Sequence, residues 1–557
     1  MDRRHFIHTA GLSIAAAILF RNSFAGDFPR KLLISFPDSV SAIINAKEVM
    51  LKTSDQQSWA YQNLILKLIK SGENTILVEL QSPGAKLSQI TLTWRTPVIQ
   101  GAKILNDQWE RTYGDASWHL PKSTEILPWY FMEHNNENTY GFGVKTGASS
   151  FCYWQIGESK LNLILDLRCG NSGVKLGERK LKAAEIVTIQ NDPGESAFQT
   201  GRKFMKTMCE KARMPAAPVY GINDWYFSYG NTSEKLILEH TGIMAPLAGG
   251  LSNRPFSVID AGWFKRGAAS PDESSWGDVS APNEHFGDMS SLAGKIRDMG
   301  MRPGIWTRPL CAPYKGFKSL MLPTIKGREE NKPILDPSIP EVLDKVNGYF
   351  RLYHQWGYDL VKFDYTSFDI FGKWGFEMMT DKSMTSGDWA MHDKSKTNAE
   401  IILNLYKTIR EAAGSMYLIG CNTISHLSAG LFELDRIGDD TSGREWARTK
   451  KMGVNTLAFR GIQHGAFYAV DADCVGLTKE VPWEKNRQWL DLVSKSGTPL
   501  FISAQPSAIG EIQKTAIKEA FSLASQSLPL GEPLDWMENA TPKEWMLDGK
   551  YHLFNWD

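Results

Sequence analysis

Beyond Val219 the chain repeats one unit eight times, a short apolar strand followed by a stretch with helical spacing. The strands read as Val219–Phe227, Phe256–Trp263, Arg302–Pro309, Asp359–Tyr365, Tyr417–Asn422, Leu434–Asp440, Gly465–Val475 and Thr498–Ala504. Helical candidates lie between them, among them Met289–Met299, Val342–Trp356, Ala399–Ala413, Trp446–Arg460, Trp483–Lys495 and Glu511–Ala524. Alternating strands and helices build a parallel sheet, and eight such units predict a (β/α)8 TIM barrel over residues 219–527 of a multidomain α/β protein.

The flanks follow other patterns. Residues 26–195 are short alternating or apolar runs, such as Lys31–Phe36, Gln89–Trp94 and Leu161–Leu167, broken by Gly, Pro, Asn and Asp, which predicts an N-terminal β-sandwich. Ser196–Ala212 has helical spacing, and Pro215 and Pro218 mark a boundary, so 196–218 reads as a linker. Residues 528–557 allow only a short C-terminal β segment, with Glu544–Leu547 and Tyr551–Trp556 as a hairpin. The first 25 residues read as a cleavable export signal, with Arg3-Arg4, an apolar run from Gly11 to Phe20, and Ser23-Phe24-Ala25 before Gly26. A periplasmic or extracellular protein is expected, and the paired arginines suit twin-arginine export as well as the basic start of any signal peptide. No later stretch reaches about 18 uninterrupted apolar residues, so no integral membrane segment is expected in the mature chain.

Lysine plus arginine and aspartate plus glutamate both total 62, which leaves no net field to gather nucleic acid. A neutral ligand fits better. The 19 tryptophans and 17 tyrosines exceed what a plain core needs, and flat rings suit the apolar faces of an oligosaccharide or glycan. The six cysteines are scattered, with no close Cys/His spacing, so no metal or other cofactor is expected.

Active sites of such barrels lie at the carboxyl ends of the strands. Here those ends carry Asn223-Asp224-Trp225, Asp260-Ala261-Gly262-Trp263, Trp306-Thr307-Arg308, Lys362-Phe363-Asp364, Cys421-Asn422, Arg436 with Asp439-Asp440, and Asp471-Ala472-Asp473. Strand alternation puts Lys362 and Asp364 on one side, where the lysine would favour the ionised aspartate that a nucleophile requires. A structural ion pair is the competing reading. Retaining glycosidases need a second carboxyl about 5–5.5 Å away, first as acid and then as base. Asp439 and Asp440 both offer one, and Arg436 is spaced to orient either.

These residues resemble motifs of the α-galactosidases of glycoside hydrolase clan D, nearest to family 36 and related to family 27. Lys362-Phe363-Asp364 resembles the family's Lys-x-Asp strand end, which implies Asp364 as nucleophile and Lys362 as a sugar ligand. Arg436-Ile437-Gly438-Asp439-Asp440-Thr441 resembles Arg-x-Gly-x-Asp-Thr, which selects Asp440 as acid/base and gives Arg436 a place beside the sugar. The segments around Cys421, Gly304–Thr307 and Asp471–Cys474 resemble positions lining the sugar, so Cys421, Trp306 and Asp473 join the candidate ligands. One departure concerns specificity: a family aspartate pair reads Asp260-Ala261 here, leaving one fewer acceptor for sugar hydroxyls. Arg308 is also larger than the residue expected there.

The resemblance implies double displacement on a terminal α-linked galactose or related sugar, with Asp440's pKa raised by the neighbouring carboxylate. Trp225, Trp263 and Trp306 are candidate walls of the sugar subsite. Three alternatives use the same residues differently: a transglycosylase of the raffinose-synthase type, a non-catalytic sugar-binding barrel, and a metal-dependent hydrolase built on Asp364, Asp440 and His464.

Overall fold

The structure, a computed structural model, describes residues 35–96, 101–136, 138–267, 273, 274, 276–325, 328 and 333–557. The export signal expected over 1–25 and the start of the Lys31–Phe36 run lie outside these residues.

The second half of the chain forms a parallel sheet of nine strands: β1 (Tyr220–Asn223), β2 (Phe256–Ile259), β3 (Arg302–Thr307), β4 (Leu360–Phe363), β5 (Tyr417–Gly420), β6 (Leu434–Arg436), β7 (Ala469–Asp471), β8 (Cys474–Leu477) and β9 (Leu500–Ala504). Their order is β7-β6-β5-β4-β3-β2-β1-β9-β8. The two edge strands, β7 and β8, are consecutive in the chain and separated only by Ala472 and Asp473, so the curled sheet brings its edges together at that bend. Each of the eight parallel strands expected from the sequence is present, but one is split. Gly465–Val475, read as continuous, breaks where Asp473 takes a left-handed φ of 71°.

The strands are almost wholly buried, as parallel strands packed on both faces must be, and helices cover the sheet. Helices Met289–Asp298, Pro340–Gln355, Asn398–Ala413, Trp483–Lys495 and Glu511–Ala524 fall within two residues of their expected bounds. The Trp446–Arg460 segment is helical but contains a π-turn at Lys450–Asn455.

The first half is a single antiparallel network of fourteen strands rather than two separately bonded sheets. It is organised by two long strands, Thr75–Arg95 and Ser172–Gln190. Residues 75–81 of the first pair with Leu64–Gly72 and with Ser172–Gln190, whereas residues 87–95 pair with Ser39–Ile44 and Lys160–Asp166. One strand thus serves both ends of the domain, burying alternate residues such as Val78, Leu80, Leu92 and Trp94. Helix Ala197–Met208 then leads to the parallel sheet, its start fixed by a capping box between Ser196 and Gln199. At the other end, Glu544–Leu547 and Lys550–Leu553 form the hairpin around an Asp548-Gly549 turn, and Glu532–Pro533 adds a third strand.

The two halves are locked together by buried charge. Asp107, in the β-domain, pairs with Arg460 at 2.7 Å, and neither is more than 2% exposed. Arg460 also donates to Ser425 at 2.8 Å. Asp107→Ala leaves the guanidinium buried without its counter-charge. The expected result is a lower urea midpoint with an unchanged slope, a loss of about 3–5 kcal/mol; an unshifted midpoint would refute this.

Candidate active site

At the end of β4 the chain changes direction. The Asp364 N–H bonds Thr307 O at 3.0 Å, and Tyr365 takes a left-handed φ of 66° to open helix Thr366–Phe371. The Asp364 carboxylate accepts the Tyr365 N–H at 2.7 Å and the Trp306 indole N–H at 3.4 Å. Lys362 does not pair with it as the sequence suggests. Its ammonium bonds Asp260, at the end of β2, at 2.8 Å. A lysine stem is long enough to pass β3, whereas the turn at Tyr365 carries Asp364 off the strand's alternation. Asp260 also accepts Asn223 Nδ2 at 2.6 Å and the Ala261 N–H at 2.8 Å. Burial disfavours the Lys362 charge, but Asp260, together with Cys421 and Asp473, outweighs it and holds the ammonium protonated.

Arg436 closes β6 and grips two carboxylates, Asp473 at 2.8 Å and Asp440 at 3.1 Å. The adjacent acids have different environments. Asp439 is held by Arg111 at 2.6 Å and Arg448 at 2.8 Å, whereas the Asp440 side chain is 37% exposed. Gly438 lets the loop lie here, because a Cβ would meet Met452 O, in the π-turn, at 2.5 Å. The pKa of Asp440 corrects the sequence expectation. The dense protein around its exposed edge removes enough water to favour the neutral acid, but Arg436, Arg111 and Lys362 outweigh this and bring the carboxyl down to about 2. Asp364 and Asp440 both act on the Tyr365 phenol, whose pKa burial and then these carboxylates raise, so the two acids share one neighbourhood.

Several candidates stand behind the site rather than facing it. Asp473, 3% exposed, accepts the Thr441 N–H at 2.8 Å and hydroxyl at 3.0 Å, besides Tyr226 and Arg436. It positions those groups and has little surface left for a sugar. Trp263, read as a subsite wall, is fully enclosed; its indole donates to Trp306 O at 2.8 Å and its ring meets Phe264, Tyr353 and Trp356. Arg308 does not reshape the pocket either. It is bound to Asp369 and sandwiched between Trp276 at 4.5 Å and Tyr365 at 4.2 Å.

Trp306 reaches Asp364 through its indole edge, stacked behind on Phe264. Trp225 is half-buried and opens the one-turn helix Trp225–Ser228 instead of extending β1. Cys421 is buried, its sulfur 3.8 Å from Arg436 and 3.9 Å from Arg111, and burial followed by Asp364 raises its pKa, keeping the thiol neutral. His464 lines a cavity with Val219, Ala469 and Pro499, at the amino ends of β1, β7 and β9. It is therefore at the opposite rim from Asp364 and Asp440, which removes the three-residue metal constellation. Among the described residues no group of His, Cys, Asp and Glu is arranged to hold a metal ion.

Arg111 went unread in the sequence. It belongs to a β-domain segment that runs into the carboxyl ends of the parallel strands. Thr112 N–H bonds Ile437 O at 3.0 Å, Asp439 N–H bonds Thr112 O at 3.1 Å, and Glu110 accepts Asn422 Nδ2 at 2.6 Å. Nothing in Trp109-Glu110-Arg111-Thr112 signals this, because the contact joins residues more than three hundred positions apart.

This fold, a curled parallel sheet preceded by an antiparallel β-domain, resembles that of solved α-galactosidases, among them members of glycoside hydrolase family 36. TtGalA, the α-galactosidase of Thermus thermophilus solved with p-nitrophenyl α-D-galactopyranoside, is similar with a TM-score of 0.60 and 16% identity, over 93% of this chain and 99% of that one. AgaB, a family-36 α-galactosidase from Geobacillus stearothermophilus, has a TM-score of 0.57 at 14% identity, over 87% and 74%. A variant of AgaA from the same organism, bound to 1-deoxygalactonojirimycin, has 0.58 at 14%, over 91% and 71%. At these identities the likeness establishes the fold. No protein-family model matches the chain, and no curated protein matches its sequence. No helix among the described residues is long and apolar enough to cross a membrane.

Proposed function

We propose that the chain is an exported retaining α-galactosidase working from a (β/α)8 barrel whose seventh strand is broken at Ala472–Asp473. The observation that carries this reading is the contrast between Asp364 and Asp440. Among the described residues the hydrogen bonds to the Asp364 carboxylate come from N–H groups, of Trp306 and Tyr365, which orient its oxygens for attack on an anomeric carbon. Asp440 is open and oriented by Arg436, as an acid/base must be. In the first step Asp364 displaces the leaving group while Asp440 protonates its oxygen; in the second Asp440 deprotonates the water that frees the sugar with retained configuration. Lys362, whose ammonium the buried Asp260 fixes, reads the sugar hydroxyls, Arg436 orients Asp440, and Trp306 backs the nucleophile. Galactose is favoured by the structural neighbours, and the lost acceptor at Ala261 makes a panel necessary. Release of p-nitrophenol from α-galactoside, α-arabinopyranoside, α-fucoside, α-N-acetylgalactosaminide or α-glucoside tests the reading; release from none overturns it. Export rests on Arg3-Arg4 and the Gly11–Phe20 run, and a mature protein retaining these residues would refute it.

The low pKa of Asp440 has a kinetic consequence. In the free protein its acid form is abundant only in acid solution, so kcat/KM for a substrate with a poor leaving group falls as pH rises. Arg111→Met removes one of the cations that depress this pKa, while Asp439 keeps Arg448. The Asp440 pKa then rises and the decline in kcat/KM moves to higher pH. Coincident pH profiles for wild type and variant would show that Arg111 does not tune the acid.

A further inference from the structure

A carboxylate that takes no part in the two displacement steps lies behind the nucleophile's turn. Glu110, in the β-domain segment that enters the mouth of the parallel sheet, is fully buried, and each of its oxygens accepts two donors. Oε1 takes the Gly375 N–H at 2.8 Å and the Tyr113 hydroxyl, and Oε2 takes Asn422 Nδ2 at 2.6 Å and the Ser367 hydroxyl. The fit is close, because a Cβ at Gly375 would meet Glu110 Cγ at 2.5 Å. Two of these partners hold the chain just after Asp364. Ser367 lies in helix Thr366–Phe371, which Tyr365 opens. Asn422, beyond β5, accepts the Phe368 N–H on its side-chain oxygen at 3.0 Å, and its main-chain carbonyl takes the Thr366 hydroxyl at 2.7 Å and the Ser367 N–H at 3.2 Å. Residues 366–368 are thus anchored from a neighbouring strand and from a second domain, next to the Tyr365 N–H that orients the Asp364 carboxylate.

We propose that Glu110 is a positioning residue for Asp364: acting through Ser367 and Asn422, it fixes the turn that aims the attacking carboxylate, so that the β-domain sets the aim of a group on the parallel sheet. This rests on the glycosidase reading above. The polarity of the contact makes it exacting. The Gly375 N–H and Asn422 Nδ2 can only donate, and one of them faces each oxygen. A glutamine at this position has the same shape but must turn its NH2 towards one of the two, leaving a buried donor against a donor. Asn422 cannot flip to relieve this, because its own NH2 would then face the Phe368 N–H.

Glu110→Gln is expected to lower kcat about ten- to hundred-fold on the α-glycoside that the wild type cleaves, the scale of an ångström-sized misplacement, while the inhibition constant of the sugar it releases changes less than about two-fold. Combining it with Asn422→Asp restores the pairing, since the glutamine NH2 then meets a carboxylate oxygen, and should return kcat to within about three-fold of wild type. Ser367→Ala strands no donor and so leaves folding intact; it lowers kcat about three-fold and decides the matter if the other variants do not fold. Wild-type kcat in Glu110→Gln or Ser367→Ala, or a folded double variant no faster than Glu110→Gln, overturns the positioning role. Loss of sugar affinity in proportion to kcat makes Glu110 a contact of the fold only and overturns it equally. A wild type that cleaves no α-glycoside overturns the glycosidase reading and this inference with it.

Discussion

Asp364→Asn is expected to lower kcat on α-galactosides by on the order of 10⁴-fold or more, because on the proposed mechanism it removes the atom that forms the covalent bond. The amide keeps an oxygen for the Tyr365 N–H, and the left-handed turn at Tyr365 does not depend on charge. An unchanged urea midpoint should therefore accompany the loss of activity. Azide distinguishes a nucleophile from a residue that only binds sugar. In Asp364→Gly, which vacates the side chain's space, azide displaces the leaving group directly and gives the β-galactosyl azide, of inverted configuration. A variant that keeps more than about a hundredth of wild-type turnover would deny Asp364 this role.

Asp440→Ala is expected to cost about 10²–10⁴-fold on natural glycosides, the usual contribution of a positioned acid/base. The loss should be smaller on p-nitrophenyl substrates, whose leaving group needs little protonation. Here azide replaces the water of the second step and the product is the α-galactosyl azide, of retained configuration. Exchange of the two azide products between the variants would exchange the two roles. Asp439 serves as control, because its two arginine partners predict a structural rather than an acid/base defect when it is changed.

The parallel half was legible because a buried strand is a short apolar run between breakers, and the chain repeats that run at strand–helix spacing. Its strand ends were read too long for an equally physical reason. Trp225-Tyr226-Phe227 and Ile437 are apolar and extend the pattern, yet β1 stops at Asn223 and β6 at Arg436, where polar groups begin to bond across strands. Alternation placed Lys362 and Asp364 on one side but said nothing of reach, and it is reach that gives the lysine to Asp260. The pKa of Asp440 was misjudged because the nearest charges in sequence are carboxylates, while the nearest in space include Arg111, from another domain. A single sequence carries no signal for that contact.

Residues 107–118 give the molecule a problem of timing. The β-domain leaves the ribosome first, and domains generally fold as units in the order they are made. Yet Arg111 has no carboxylate to meet until Asp439 is synthesised, and Asp107 waits still longer for Arg460. For most of translation these charges must remain hydrated, and they are withdrawn from water only when the last third of the chain arrives. Completion of the mouth of the parallel sheet is thus among the latest events in folding, and a partly made chain lacks the assembled Asp439-Asp440 loop.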